Sequence, residues 1–186
     1  MAVKTKNDLK DVFSGASSIY LKKGGISGVV SALSFDWDMP VIVDTLSFTQ
    51  SEATLNRTKV HGLQADWAVT ATPGEVTFGA TVPTMHEDVT DWFLGGSTGA
   101  VAAIPLNGGA DAFSGKSYSM KSTKLYASIG VLSEDGLKMF FIKKMAIYAT
   151  PVFENASTTP FAFQLTGTIE ASDDAAQDDI MFLAKD

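Results

Sequence analysis

Apolar and polar residues alternate through much of the chain, and that alternation marks strands. Across residues 65–71, Trp67, Val69 and Ala71 share a face. After Pro73-Gly74, Val76, Phe78, Ala80 and Val82 alternate with Glu75, Thr77, Gly79 and Thr81. The two runs predict a hairpin with one apolar face. Leu125, Ala127, Ile129 and Val131 alternate with Lys124, Tyr126, Ser128 and Gly130. Asp135-Gly136 then predicts a tight turn into a return strand, MFFIKKMAIYAT. Lys143-Lys144 interrupts that apolar run and predicts a bulge. Phe161, Phe163, Leu165, Gly167 and Ile169 alternate with Ala162, Gln164, Thr166, Thr168 and Glu170. Fainter strand patterns occupy residues 28–33 and 41–50. In the latter, Val43, Thr45, Ser47 and Thr49 oppose Ile42, Leu46 and Phe48.

One stretch departs from this period. Val89, Trp92 and Phe93 stand at helical spacing and form a single apolar stripe. Thr84 with Glu87 three residues later predicts a capping box. Glu87 and Asp88 complement the positive end of the helix dipole. Gly95 and Gly96 can supply the left-handed residue that ends the helix. So short a helix cannot hold alone, so Val89, Trp92 and Phe93 must dock on a sheet. The expected fold is mainly β: a β-sandwich or small β-barrel flanked by this one helix. Three regions are expected: a loosely ordered, basic arm over residues 1–18, a β domain over 19–172, and an acidic tail over 173–186. Residues 96–118, rich in Gly, Ala and Ser without a period, are expected to be a long inserted loop.

Composition narrows the function. The 186 residues suit one domain, and 45% hydrophobic residues suffice for a core. A net charge of −7 disfavours tight nucleic-acid binding, and the lack of cysteine removes disulfides and thiolate chemistry. The first residues, MAVKTKNDLKD, have no apolar leader segment, and no run reaches the roughly 18 apolar residues of a spanning helix. The expectation is a soluble chain without membrane contact.

Candidate chemistry is sparse. The two histidines are His61 and His86, and His86 has only adjacent acids, Glu87 and Asp88, rather than ligands at helical spacing. Asp36 and Asp38 flank Trp37 but share a strand face, where they repel, and no calcium-loop pattern surrounds them. There is no G-x-S-x-G, no Walker loop and no dinucleotide fingerprint. Trp37, Trp67 and Trp92 could stack sugars, but Trp67 and Trp92 lie in apolar stripes and read as core. No catalytic residue, metal ligand or cofactor is assigned. A chain with a sound core and no site is expected to work through its surfaces.

The order of segments adds a resemblance. A small-residue strand, GISGVVSAL, precedes a polar hairpin, DTLSFTQSEATLNRTKVHG. Then come ADWAVTATPGEVTFGATVPT, the helix EDVTDWFLGG, KLYASIGVLSEDGLKMFFIKKMAIYATPVF and FAFQLTGTIEAS. This order resembles the major tail tube proteins of long-tailed bacteriophages, notably in Val82-Pro83-Thr84 before the helix and Phe93-Leu94-Gly95 at its end. The resemblance spans roughly residues 24–171 and leaves the Gly-rich stretch unmatched. It implies a structural virion protein, made in the host cytoplasm, that forms hexameric rings stacked into a tube for genome delivery. Tail terminator, tape measure and tail-tip proteins would be its partners, and duplex DNA would pass without tight binding. Four strands per subunit would give a barrel of roughly 24 strands, ~37 Å across before tilt. Thr45, Ser47, Thr49, Gln164, Thr166, Thr168 and Glu170 are the candidate lumen residues, small and polar rather than basic. Lys4, Lys6 and Lys10 are expected to meet Asp173, Asp174, Asp178 and Asp179 of a neighbour. The alternative is a carbohydrate- or receptor-binding β-sandwich module.

Overall fold

The computed structural model describes residues 12–42, 44–62, 64–119, 123–153, 160–171 and 177–185. The fold is mainly β with one short helix. Its strands are β1 (Ser18–Lys23), β2 (Trp37–Met39), β3 (Ser47–Gln50), β4 (Thr54–Thr58), β5 (Ala68–Thr72) and β6 (Val76–Val82). After α1 (Glu87–Phe93) follow β7 (Ser97–Pro105), β8 (Ala112–Tyr118), β9 (Leu125–Leu132), β10 (Lys138–Val152), β11 (Ala162–Ile169) and β12 (Ile180–Ala184). Eight of them form one antiparallel sheet in the order β2-β1-β9-β10-β11-β6-β3, with β12 paired to the first part of β10. The sheet stays open. The pairs β4-β5 and β7-β8 are separate two-stranded ribbons.

One face of the sheet carries the main core. Leu21, Phe78, Val82, Ile129, Met145, Ile147, Phe163 and Leu165 are buried there, as their alternation demands. α1 closes this face: Val89 and Phe93 are buried, and Trp92 packs partly buried beside them. The other face is half covered. The segment between β1 and β2 lays Phe35 across it, 5.2 Å from Tyr20 and 6.0 Å from Phe141. A side chain at Gly130 would come within 2.8 Å of the Phe35 ring, so glycine makes room for this cover.

The bulge expected at Lys143-Lys144 is present, as a register shift between Ile142 and Met145 opposite β9. Its backbone groups find other partners. The Lys143 carbonyl accepts from Ser128 Oγ at 2.6 Å and Ile26 N–H at 2.8 Å, and its N–H donates to Asp179 at 2.9 Å. The bend also divides β10 between neighbours: β12 pairs before it and β11 after it. Ile180–Ala184, a small apolar patch in sequence, thus extends the lane that β11 leaves.

Several expected elements take another form. Residues 65–71 do not form a hairpin with 76–82, because β5 pairs with β4 while β6 pairs with β11 and β3. Nor do residues 44–62 fold back on themselves. Instead β3 with β4 and β5 with β6 form one long ribbon in continuous register, its ladder interrupted between sheet and projection, where Ser51 N–H donates to the Glu75 carbonyl at 2.9 Å. Trp67 sits on the projecting part and is 68% exposed, so it is not a core residue. Residues 28–33 are irregular, and among the described residues of 41–50 only Ser47–Gln50 is strand. Residues 97–118 are a hairpin, not a loop. Thr84 does not close a capping box: its Oγ1 accepts from His86 N–H at 3.1 Å, and His86 holds the N-cap position without a side-chain bond. The turn before α1 therefore uses the threonine two residues too early for a cap. At the other end Gly95 and Gly96 do take positive φ, and Gly96 N–H returns to the Asp91 carbonyl.

The close approach of the two strands at this interruption requires a glycine. A Cβ at Gly74 would lie 1.8 Å from the Ser51 carbonyl oxygen. Gly74→Ala is expected to spread the ribbon and destabilise the chain by about 1–3 kcal/mol, the cost of overpacking. Urea unfolding measures it; an unchanged midpoint would show that the ribbon bends freely there.

Candidate assembly surfaces

Past Phe35's cover, the second face of the sheet is bare and polar. β3, β6, β11 and the last part of β10 run side by side, and the register aligns Ser47, Gly79, Thr166 and Tyr148 in one row. Thr49, Thr77 and Thr168 form a second row, and Thr81, Gln164 and Thr150 a third. Two strands far apart in sequence thus bring the expected Ser47, Thr49, Gln164, Thr166 and Thr168 onto one surface, joined by Thr77 and Thr81 of β6. Thr45 lies beside them: its Oγ1 accepts from Thr81 N–H at 3.1 Å and donates to the Ile42 carbonyl at 2.7 Å. The Thr49 and Thr77 hydroxyls are 2.9 Å apart. Glu170 ends the row beyond Thr168 and pairs with Lys124. That hydrogen bond holds the Glu170 carboxyl below its ordinary value and raises Lys124. The three rows carry no charged side chain; charge collects only at this end, where Lys124 and Lys144 both lie over Tyr126.

A second surface is the ribbon β7-β8, which leaves the body directly after α1. Its base is latched to the helix. Lys116 Nζ contacts Asp91 Oδ2 at 2.7 Å and also pairs with Glu87, and Tyr118 OH donates to Asp91 Oδ1 at 2.5 Å. The hydrogen bond from Lys116, then that from Tyr118, holds the Asp91 carboxyl below its ordinary value of 3.8. Hydrogen bonds to Asp91 and then Glu87 raise Lys116 above 10.5, and the bond to Asp91 raises Tyr118. The latch contribution is therefore complete above 3.8 and is lost as pH falls through the lowered Asp91 value. On the alkaline side it is complete below 10.5 and lost as pH rises through the raised Lys116 value. Asp91→Asn is expected to free the ribbon at neutral pH as acid does in the native chain. Hydrogen exchange of the β7 and β8 amides measures it, and protection equal to the native chain's would show that backbone packing alone holds the base.

The third surface is the projecting ribbon β4-β5, every residue of which is exposed. Leu55, Trp67 and Val69 lie on one side of it, beside Arg57, whose guanidinium is 3.5 Å from Asp66.

The other sequence candidates stand apart from these surfaces. Trp37, which a sugar platform would need exposed, lies 5.4 Å from Trp92 beneath Lys23. Asp36 accepts from Lys23 N–H at 2.7 Å, Asp38 lies near Ser18 Oγ, and His61 and His86 are exposed. Among the described residues no three His, Asp or Glu side chains are grouped to hold a metal, and no helix is long and apolar enough to cross a membrane. Asp178 is exposed and Asp179 half-buried, while Lys4, Lys6, Lys10, Asp173 and Asp174 lie outside the described residues. Sequence reasoning missed Thr77, Thr81, Tyr148 and Thr150 as members of the polar face. The alternation in β6 and β10 already placed them opposite the core, and only strand order joined them to the rest.

The described residues form an open, mainly β fold with a helix packed on its core face, a bare hydroxyl face and two projecting ribbons. No protein-family model matches the chain, and no curated protein sequence matches it. Among solved structures, it is similar to a chain of the sheath-tube complex of an extracellular contractile injection system, PVC, in its extended state. The identity is 11% and the TM-score 0.44, over 99% of this chain and 100% of that one. It is also similar to the tube-terminating cap of the anti-feeding prophage, at 10% identity and a TM-score of 0.41, over 100% of this chain and 95% of that one.

Proposed function

We propose that this chain is a structural, non-catalytic subunit that self-assembles into stacked hexameric rings, forming a tail tube through which a genome is delivered. The observation that carries the reading is the uncharged hydroxyl face on β3, β6 and β11, set opposite the core on which α1 packs. A wall between solvent and a passage needs one sealed apolar side and one side to which cargo does not adhere. Thr45, Ser47, Thr49, Gln164, Thr166, Thr168 and Glu170 line the passage in this reading. Duplex DNA gains nothing from such a surface, because its binding depends on lysine and arginine displacing counterions. The open sheet fits as well. Its outer strands, β2 and β3, have three and four residues, and closing a ring with neighbours removes unpaired edges.

In the assembled tail the partners are copies of this chain, with terminator, tape measure and tail-tip proteins at its ends. The basic arm carrying Lys4, Lys6 and Lys10 meets the acidic tail of a neighbour. Chains lacking residues 1–12 are expected to stay unassembled under conditions where the full chain assembles, and normal assembly would remove the arm from this role. Negative-stain microscopy of the purified chain tests the whole reading. Rings or hollow rods are expected; a monomer at high concentration, still monomeric with tail-tip extract added, overturns it.

A further inference from the structure

We propose that copies of this chain join head to tail through the two ribbons, β4-β5 of one copy lying across β7-β8 of the next. The inference deepens the self-assembly reading and rests on it. Its first ground is direction. β9 is antiparallel to β10, β10 to β11 and β11 to β6, so β9 begins at the end of the sheet where β6 finishes. The base of β7-β8 lies there: a Cβ on Gly95 would sit 3.0 Å from Thr123 Oγ1, two residues before β9. The ribbon β4-β5 leaves from the opposite end, where β6 begins. The two ribbons therefore project from opposite ends of one subunit.

The second ground is chemistry. On β4-β5, Leu55, Trp67 and Val69 are 50%, 68% and 52% exposed. On β7-β8, Ile104 and Phe113 face each other across the strands at 59% and 66% exposure, with Leu106 beyond them at 53%. A two-stranded ribbon is marginal in water by itself, and an apolar face needs a second layer. Each ribbon offers the layer the other lacks.

Charge sets the orientation. Lys59 stands toward the tip of β4-β5, beside the Arg57–Asp66 pair, whereas Asp88 stands exposed at 72% beside the base of β7-β8, next to Glu87 and its partner Lys116. Laid tip to base, the ribbons bring opposite charges together. The two surfaces differ, so the contact is heterologous and leaves one free ribbon at each end for a further copy.

The test uses two variants of the full chain: Trp67→Asp with Val69→Asp, and Ile104→Asp with Phe113→Asp. All four positions are solvent-facing, and circular dichroism checks that both variants fold. In sedimentation, each variant alone is expected to stop at its basic unit, ring or single chain. Their equal mixture is expected to advance one step, to a species of twice that mass holding both variants. If the native chain never self-associates, the self-assembly reading falls and takes this one with it. If the native chain and both variants lengthen equally, the ribbon contact alone is overturned. A variant that pairs with itself also overturns it, because that contact is like with like. The native chain has no cysteine, so oxidising a mixture of Leu55→Cys, near the base of β4-β5, and Phe113→Cys, near the tip of β7-β8, provides a second reading. The expected product is the mixed disulfide; predominance of either self-linked dimer overturns the proposal.

Discussion

Phe93→Ala is expected to cost about 3–5 kcal/mol of folding stability, the range for emptying a buried phenylalanine site. Phe93 is 1% exposed, with its ring 5.1 Å from Phe163 and 5.3 Å from Trp92. α1 has seven residues and no side-chain cap, so tertiary contacts, chiefly its buried stripe, keep it helical. The loss should spread. Trp92 loses one ring neighbour, Trp37 packs on Trp92 in turn, and Asp91 on the same helix anchors the base of β7-β8. Urea unfolding followed by tryptophan fluorescence measures the effect. Asp88→Ala, on the exposed side of the same helix, serves as the comparison and should stay within about 0.5 kcal/mol of the native chain. A Phe93→Ala cost under ~1 kcal/mol would mean that the sheet closes its own core and the helix is decoration.

The pair Gln164→Lys and Thr166→Lys is expected to leave folding unchanged and to turn the proposed passage into a DNA trap. Both positions are exposed on β11, so neither substitution disturbs the core. In a six-membered ring the pair adds about twelve cations to one channel wall, where each phosphate contact releases a counterion. Short duplex DNA mixed with assembled tubes should then be held and shielded from nuclease at 50 mM salt. The hold should weaken by about 10³-fold or more at 200 mM. Native tubes should leave the duplex free and digestible at both. Lysine tubes that assemble but protect no DNA would show that this face does not line the passage.

The parts of the structure legible in sequence are those where one strand face is buried and the other wet. β6, β9 and β11 alternate cleanly because Phe78, Ala80, Val82, Ile129, Val131 and Phe163 enter the core while their neighbours face out or under a thinner cover. The Asp135-Gly136 turn and the bulge at Lys143-Lys144 were legible for local reasons: Gly136 takes positive φ, and two lysines interrupt an apolar run. The hairpin β7-β8 was not legible. Neither of its faces is buried within the subunit, so no burial pattern was imposed on its Gly, Ala and Ser residues. Trp67 misled for the converse reason. It alternates as a core residue does, yet its ribbon leaves the sheet before any second layer reaches it.

By itself the sequence determined that the chain is mainly β, where one short helix interrupts it, and which residues of each strand share a face. Those properties follow from side-chain periods of two and 3.6, which every local stretch carries within itself. Only the tertiary structure decided which strands are neighbours, and so which hydroxyls join into one surface and where the two ribbons leave it. The hydrogen bonds that pair strands run between backbone groups common to nearly all residues. Alternation alone could not say whether β6 lies against β5 or against β11.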